Sequence, residues 1–226
     1  FTDLLPWMEY LPESKTFLLE DGISLGALFE IQPVGCEART PAFMTQLRDA
    51  IQSAINEAIP EHDSTPWVLQ IYVQDEPKLT QLNELLSSYP SPTVRASEYS
   101  QHYQSVMSKH LQSISRPGGL FDDTTVTGSR WLGQQRRIRV VLYRRLKKGA
   151  KSPTAIEVEE ALNDVATKWV ASLTSAGIVA QRANGQAFYQ WLLIWFNPNP
   201  PLAAGNPEAL LQLAPYPGDD NLPFGY

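Results

Sequence analysis

Thr16-Phe17-Leu18-Leu19-Glu20-Asp21-Gly22-Ile23-Ser24-Leu25-Gly26-Ala27-Leu28-Phe29-Glu30-Ile31 is the stretch on which the fold turns. Asp-Gly accepts positive φ at both central positions of a tight turn, and apolar runs flank it on both sides. The pattern predicts two antiparallel strands, Thr16 to Glu20 and Ile23 to Ile31, joined by Asp21-Gly22. A sheet that opens on a hairpin contains antiparallel pairing. It is set apart from the doubly wound folds, where a strand would lead directly into a phosphate loop.

Downstream, helices alternate with strands. Phe43, Leu47, Ala50, Ile51, Ala54, Ile55 and Ala58 recur on one stripe and predict a helix from Pro41 to Ile59, stopped by Pro60. Trp67 to Gln74 alternates as a half-buried strand. A short helix from Lys78 to Ser87 and a polar one from Ala96 to Ser115 follow. Residues 116–133 have no usable period and read as a long loop. Arg137 to Leu146 is the next strand. Ser152-Pro153 opens a helix lined by Ile156, Leu162, Val165, Trp169 and Leu173 and closed by Gly177. A strand from Ile178 to Arg182 and a turn at Asn184-Gly185 lead to a last helix, Gln186 to Phe196. The expected fold is α+β: a mixed or antiparallel sheet opening with a β-hairpin and covered by helices on one face. No repeat of 20 to 50 residues is present.

Composition bounds the function. The chain has 226 residues, 43% of them hydrophobic, enough to bury a core without metal or disulfide staples. The single cysteine, Cys36, excludes an internal disulfide. A net charge of −6 argues against indiscriminate coating of nucleic acid. No run of 18 apolar residues marks a membrane span.

Chemical motifs are sparse. The nearest approach to a phosphate loop, Gly128-Ser129-Arg130-Trp131-Leu132-Gly133-Gln134-Gln135, has neither lysine nor hydroxyl where phosphates and metal need them. His102 and His110 share a helix face but stand about 12 Å apart, too far to chelate one ion. His62 reads as a surface residue and Cys36 as an incidental thiol. No catalytic, cofactor-binding or metal-binding residue is assigned, and the chain is expected to be non-catalytic.

Two elements stand out. Arg136, Arg137, Arg139, Arg144, Arg145, Lys147 and Lys148 place seven of the 18 cations within 13 positions, leaving −13 on the rest of the chain. Such a strip can orient an acidic partner, lipid headgroups or a nucleic-acid backbone. It can equally protect a sheet edge or pair with local acids. Alternation sends Arg137, Arg139 and Arg145 one way and puts Arg136 and Arg144 at the strand ends. The helix from Gln186 to Phe196, with Trp191 and Trp195, is apolar nearly all round, so it is buried on most sides by this core or by another domain or subunit.

The ends read as cut from a longer protein. The chain begins at Phe1, and seven of its 18 prolines fall between Asn197 and Tyr226, a density expected of an extended linker.

The segments Leu5-Pro6-Trp7-Met8-Glu9-Tyr10-Leu11-Pro12, Thr16 to Gly22, Trp67-Val68-Leu69-Gln70-Ile71-Tyr72-Val73-Gln74-Asp75 and Asn184-Gly185-Gln186-Ala187-Phe188-Tyr189-Gln190-Trp191-Leu192-Leu193-Ile194-Trp195-Phe196-Asn197-Pro198 carry a resemblance. So does the closing Asp219-Asp220-Asn221-Leu222-Pro223-Phe224-Gly225-Tyr226. Together they resemble the N-terminal region of TraC-type conjugative transfer ATPases, the type IV secretion motors of integrative conjugative elements. The resemblance spans essentially the whole chain.

It implies an N-terminal docking domain at 1–196, divisible into 1–115 and 134–196 around the loop 116–133. Residues 197–226 would then link to an absent C-terminal ATPase domain, which would bind ATP and Mg. The full protein would be a hexamer-forming ATPase on the cytoplasmic face of the bacterial inner membrane, powering pilus assembly and DNA transfer. Its partners would be inner-membrane components of the secretion channel, its own ATPase domain and further copies of itself. The alternative is a nucleic-acid-binding module using residues 136–148; an enzyme with the 116–133 loop as lid is a third reading.

Overall fold

Gly22 takes a φ of +73°. The Asp21 carboxylate accepts from the backbone N–H groups of Ile23 and Ser24 at 3.0 and 2.8 Å, so the turn is held by its own side chain. The computed structural model describes residues 5–61, 65–76, 79–146, 153–204 and 206–218. In it an unanticipated strand, β1 (Trp7–Leu11), precedes the hairpin strands β2 (Thr16–Leu19) and β3 (Leu25–Gln32). Phe17 lies opposite Gly26 and Leu18 opposite Leu25.

Helix α1 (Pro41–Ala58), strand β4 (Trp67–Glu76), the 73–137 region, strand β7 (Gln135–Arg144), helix α5 (Ala155–Ser175), strand β8 (Val179–Arg182) and helix α6 (Gly185–Phe196) follow. The chain forms two compact units, Phe1–Tyr72 with Ile138–Tyr226, and Val73–Arg137. The boundaries between these units run through β4 and β7.

In the first unit the sheet runs β1-β2-β3-β7-β4, with β8 beside β3. The β1–β2, β2–β3, β3–β7 and β3–β8 pairings are all antiparallel. Both faces are covered, where the sequence suggested one. On the first, Leu25, Ala27, Phe29, Val140 and Leu142 pack with Ala54 and Ala58 of α1 and with Leu162, Val165, Ala166, Trp169 and Leu173 of α5. On the second, Phe17, Leu19, Leu28, Val141 and Tyr143 pack with Trp191 of α6. The sign of this was the unbroken run Val140-Val141-Leu142-Tyr143. A strand apolar at every position is buried on both sides, whereas strict alternation marks a strand wet on one.

Helix α5 starts later than Ser152-Pro153 suggested. Thr154 is its N-cap, in a capping box with Glu157, and Ser152 lies outside the described residues. Ile156, expected in the core, is exposed in the first turn, and the apolar stripe engages the core only from Val158 onward.

The proline-rich end is not wholly extended. A short 3-10 turn (Pro201–Ala203) and helix α7 (Pro207–Leu213) interrupt it, each beginning at a proline. In the first turn of a helix the missing N–H is not needed, so proline opens these elements without breaking them. Leu210 and Ala203 are buried, and the Tyr189 hydroxyl of α6 donates to the Ala214 carbonyl at 3.0 Å. The all-round apolarity of α6 thus has part of its cause inside this chain: one side meets the sheet, and another meets α7, Ala214 and Tyr216.

The second unit comprises α2 (Thr80–Ser88), α3 (Pro92–Arg95), α4 (Glu98–Ile114) and a hairpin of β5 (Phe121–Asp123) and β6 (Ser129–Trp131). Residues 116–133 therefore contain paired strands. Strands of three residues are too short for alternation to register, which is why the segment read as a loop. The Gly133 N–H donates to the Ile114 carbonyl at 2.7 Å, fastening the hairpin to the end of α4.

Candidate interaction surface

Strand β7 carries the arginines, and its neighbours decide what each one meets. In the first unit, Glu30 of β3 lies directly opposite Arg139. The two form an ion pair at 3.7 Å, with the arginine side chain buried and the carboxylate half-exposed. The Arg139 guanidinium also lies 5.1 Å from the Trp191 ring centroid. Trp191 stacks on Trp195 at 5.4 Å and 13°, and Trp195 on Phe196 at 6.0 Å and 11°. Tyr72 meets Trp191 and Trp195 edge-on at 5.2 and 5.8 Å. Three of the residues singled out from the sequence, Arg139, Trp191 and Trp195, therefore form one ladder. It runs from a buried cation to exposed aromatic rings. Stacking and cation–π geometry of this kind adds to burial by roughly 0.5–2 kcal/mol per contact.

Arg144 sits at the end of β7, as alternation suggested. Its Nε donates to the Thr65 hydroxyl at 2.7 Å, and its guanidinium lies 5.6 Å from the Trp67 ring. Arg145 pairs with Glu20 at 3.0 Å. Burial pushes the phenols of Tyr72 and Tyr143 above their ordinary pKa.

In the second unit, Arg136 makes a two-point contact with Asp75 at 2.8 and 2.9 Å, and Arg137 meets Glu76 at 3.3 Å. The hydrogen bond from Arg136 holds the Asp75 carboxyl below the usual carboxylate range. Lys147 and Lys148 lie outside the described residues. Four arginines of the strip thus have a carboxylate at hand: Glu30, Glu20, Asp75 and Glu76. β7 lies between β3 and β4 rather than at a sheet edge, so edge protection is not its task. Local pairing, one of the two readings open from the sequence, is what the geometry contains.

Sequence reasoning missed Tyr72, Phe196 and the four carboxylates. Phe196 and Trp195 were legible as the exit of an apolar helix. The acids were not, because pairing across strands depends on a register that no local pattern contains. It also missed Arg182, whose Nη1 donates to the Asn163 side-chain oxygen at 2.7 Å. Its Nε and Nη2 are buried without a hydrogen-bond partner among the described residues, and burial pushes its pKa down.

A different surface dominates the second unit. Of 21 large apolar side chains exposed on the described chain, twelve fall within residues 73–137. Tyr99, Tyr103 and Val106 follow the i, i+4, i+7 spacing of a single α4 face. Phe121 and Trp131, also exposed, are opposed across the β5–β6 pair.

Ser129–Trp131, within the segment nearest a phosphate-loop pattern, form an antiparallel β-strand rather than a loop running into a helix N-terminus. Among the described residues, no three His, Cys, Asp or Glu gather to hold a metal ion. No described helix is long and apolar enough to cross a membrane.

A family model described as TraC protein matches residues 1–226. The chain belongs to the TraC family. Membership makes this TraC chain a component of conjugative transfer through type IV secretion. Neither a curated protein nor a solved structure matches it.

Proposed function

We infer that this TraC-family chain is a non-catalytic docking and assembly domain of a conjugative type IV secretion motor. It meets inner-membrane components of the channel on the cytoplasmic side and brings subunits of the motor together. ATP and Mg belong, in this reading, to a separate ATPase domain of a hexameric full-length protein. The observation that supports docking is the crowding of exposed apolar side chains on the 73–137 unit, above all Tyr99, Tyr103 and Val106 on one face of α4. Contiguous apolar surface on a soluble domain marks a place where another molecule sits. The aromatic enrichment is that of interface cores.

The paired arginines weigh against the alternative, a module tracking a nucleic-acid backbone along β7. Cations already held by carboxylates release few counterions on meeting phosphate.

The test replaces Tyr99, Tyr103 and Val106 together by Gln, which keeps helix propensity while removing the apolar face. Tagged chain is used to capture the inner-membrane channel subunits from donor-cell membranes, with mass spectrometry as readout. Capture is expected to fall at least tenfold while the thermal midpoint stays put. Undiminished capture would sink the docking reading.

A further inference from the structure

The covering of α6 is built differently from the rest of the fold. Gly185, Tyr189 and Leu193 recur at i, i+4 and i+8, so they share a face of α6. Ala214 and Tyr216 sit against that face. The Tyr216 ring lies 5.7 Å from Tyr189, whose hydroxyl donates to the Ala214 carbonyl at 3.0 Å. At Gly185 a β-carbon would overlap the Tyr216 hydroxyl and come within 2.9 and 3.0 Å of the Tyr10 ring, so only glycine leaves room for Tyr216. Leu210 and Ala203 are buried, whereas Leu202 and Leu213 face solvent.

The segment 206–218 is thus anchored at a few points. Its regular part, α7, is seven residues long, far below the length at which a helix persists unaided. Elements of this kind open at a small fraction of the free energy needed to unfold a core.

We propose that residues 206–218 are a releasable strap masking an apolar docking groove on α6, and that the groove's other occupant is a short amphipathic helix of a partner protein. The occupant is defined by what is already seated there. α7 followed by Tyr216 shows that the groove takes one to two helical turns and, beyond them, an aromatic ring against Gly185. The strap holds the groove shut because a tethered segment acts at millimolar effective concentration, and a partner must displace it. This rests on the docking reading and names a second, gated surface for it.

The experiment uses the whole chain and its Tyr216→Ala variant. Hydrogen exchange should show α7 amides of the variant exchanging at least tenfold faster than in the parent, with α5 and β3 unchanged. A fluorescein-labelled peptide of residues 206–218 should bind the variant at least tenfold more tightly than the parent, because only the variant leaves the groove open. Exchange of α7 in step with α5 in both proteins would make the segment part of the core and overturn the strap. Equal peptide binding to both proteins would overturn the groove. A strap that opens in a chain that captures no channel subunit would instead remove the docking reading and leave the strap standing.

Discussion

Arg139 is held from two directions, by the Glu30 carboxylate opposite it and by the Trp191 ring beneath it. Replacing it with alanine would strip Glu30 of this partner and remove a stacked cation. The expected loss of stability is about 2 kcal/mol, below that of a fully buried pair because Glu30 still sees solvent. Arg139→Lys should recover less than half of it, since an ammonium cannot lie flat on the indole. Urea midpoints of the three proteins test this; a lysine variant as stable as the parent would show that charge alone matters. Glu157 gives a pH prediction. Its carboxylate accepts from the Thr154 backbone N–H and hydroxyl, which lowers its pKa in the folded chain. A depressed folded pKa stabilises above the unfolded value and loses that contribution as pH falls through the folded value. Glu157→Gln should therefore cost stability at pH 7, and the gap to the parent should close as the pH drops below the ordinary glutamate range. A gap that persists unchanged at pH 3 would mean the capping box works through shape, not charge.

Among elements, α6 draws most on its surroundings. Asn184 caps it by accepting from the Ala187 N–H at 2.9 Å, and Trp191 carries its buried face. Asn184→Ala should cost about 1 kcal/mol, the usual value of a lost N-cap. Trp191→Ala should cost about 3–5 kcal/mol, because an indole is deleted from a packed cluster. Calorimetric midpoints would rank the two, and a smaller loss at Trp191 would mean that the sheet face can collapse around the gap. The helix itself was legible from its apolar run and its Asn-Gly start; what lies on its far side was not. Proline density suggested an extended tail, yet Pro201 and Pro207 sit where proline opens a helix. The same limit applied to β7. Arg144 at its end could be read from alternation, though the strand runs from Gln135 to Arg144 where Arg137 to Leu146 was expected; Glu30, Asp75 and Glu76 come to it only through strand pairing, and Glu20 meets Arg145 just past its end. The hairpin lay nearer the other extreme: its position was legible from Asp21-Gly22, but the strands end at Leu19 and resume at Leu25, so the connection is longer than the two residues expected, with Gly22 alone of the pair at positive φ.

At the scale of the whole molecule, the two units should differ in stability. Phe1–Tyr72 with Ile138–Tyr226 buries a double-sided core. Within Val73–Arg137, by contrast, only Leu79, Ser100, Leu111 and Gly133 are buried among the described residues. Stability follows the apolar area removed from water at about 25 cal/mol per Å², so a unit with so few buried side chains has little to set against its chain entropy. Residues 80–131 should therefore open at a lower free energy than the strands of the sheet, as a cooperative unit of their own. Urea titration followed by hydrogen exchange is the direct check. Amides of α4 should merge into one low-energy opening while those of β3, β7 and α5 stay protected to the global transition. A docking partner that covers Tyr99, Tyr103 and Val106 should raise the α4 opening energy selectively, because ligands stabilise the state they bind. If α4 and α5 instead lost protection together at every urea concentration, the chain would unfold as one cooperative body. The apolar surface of the 73–137 unit would then owe nothing to marginal stability, and binding there would have to be read from the partner's side alone.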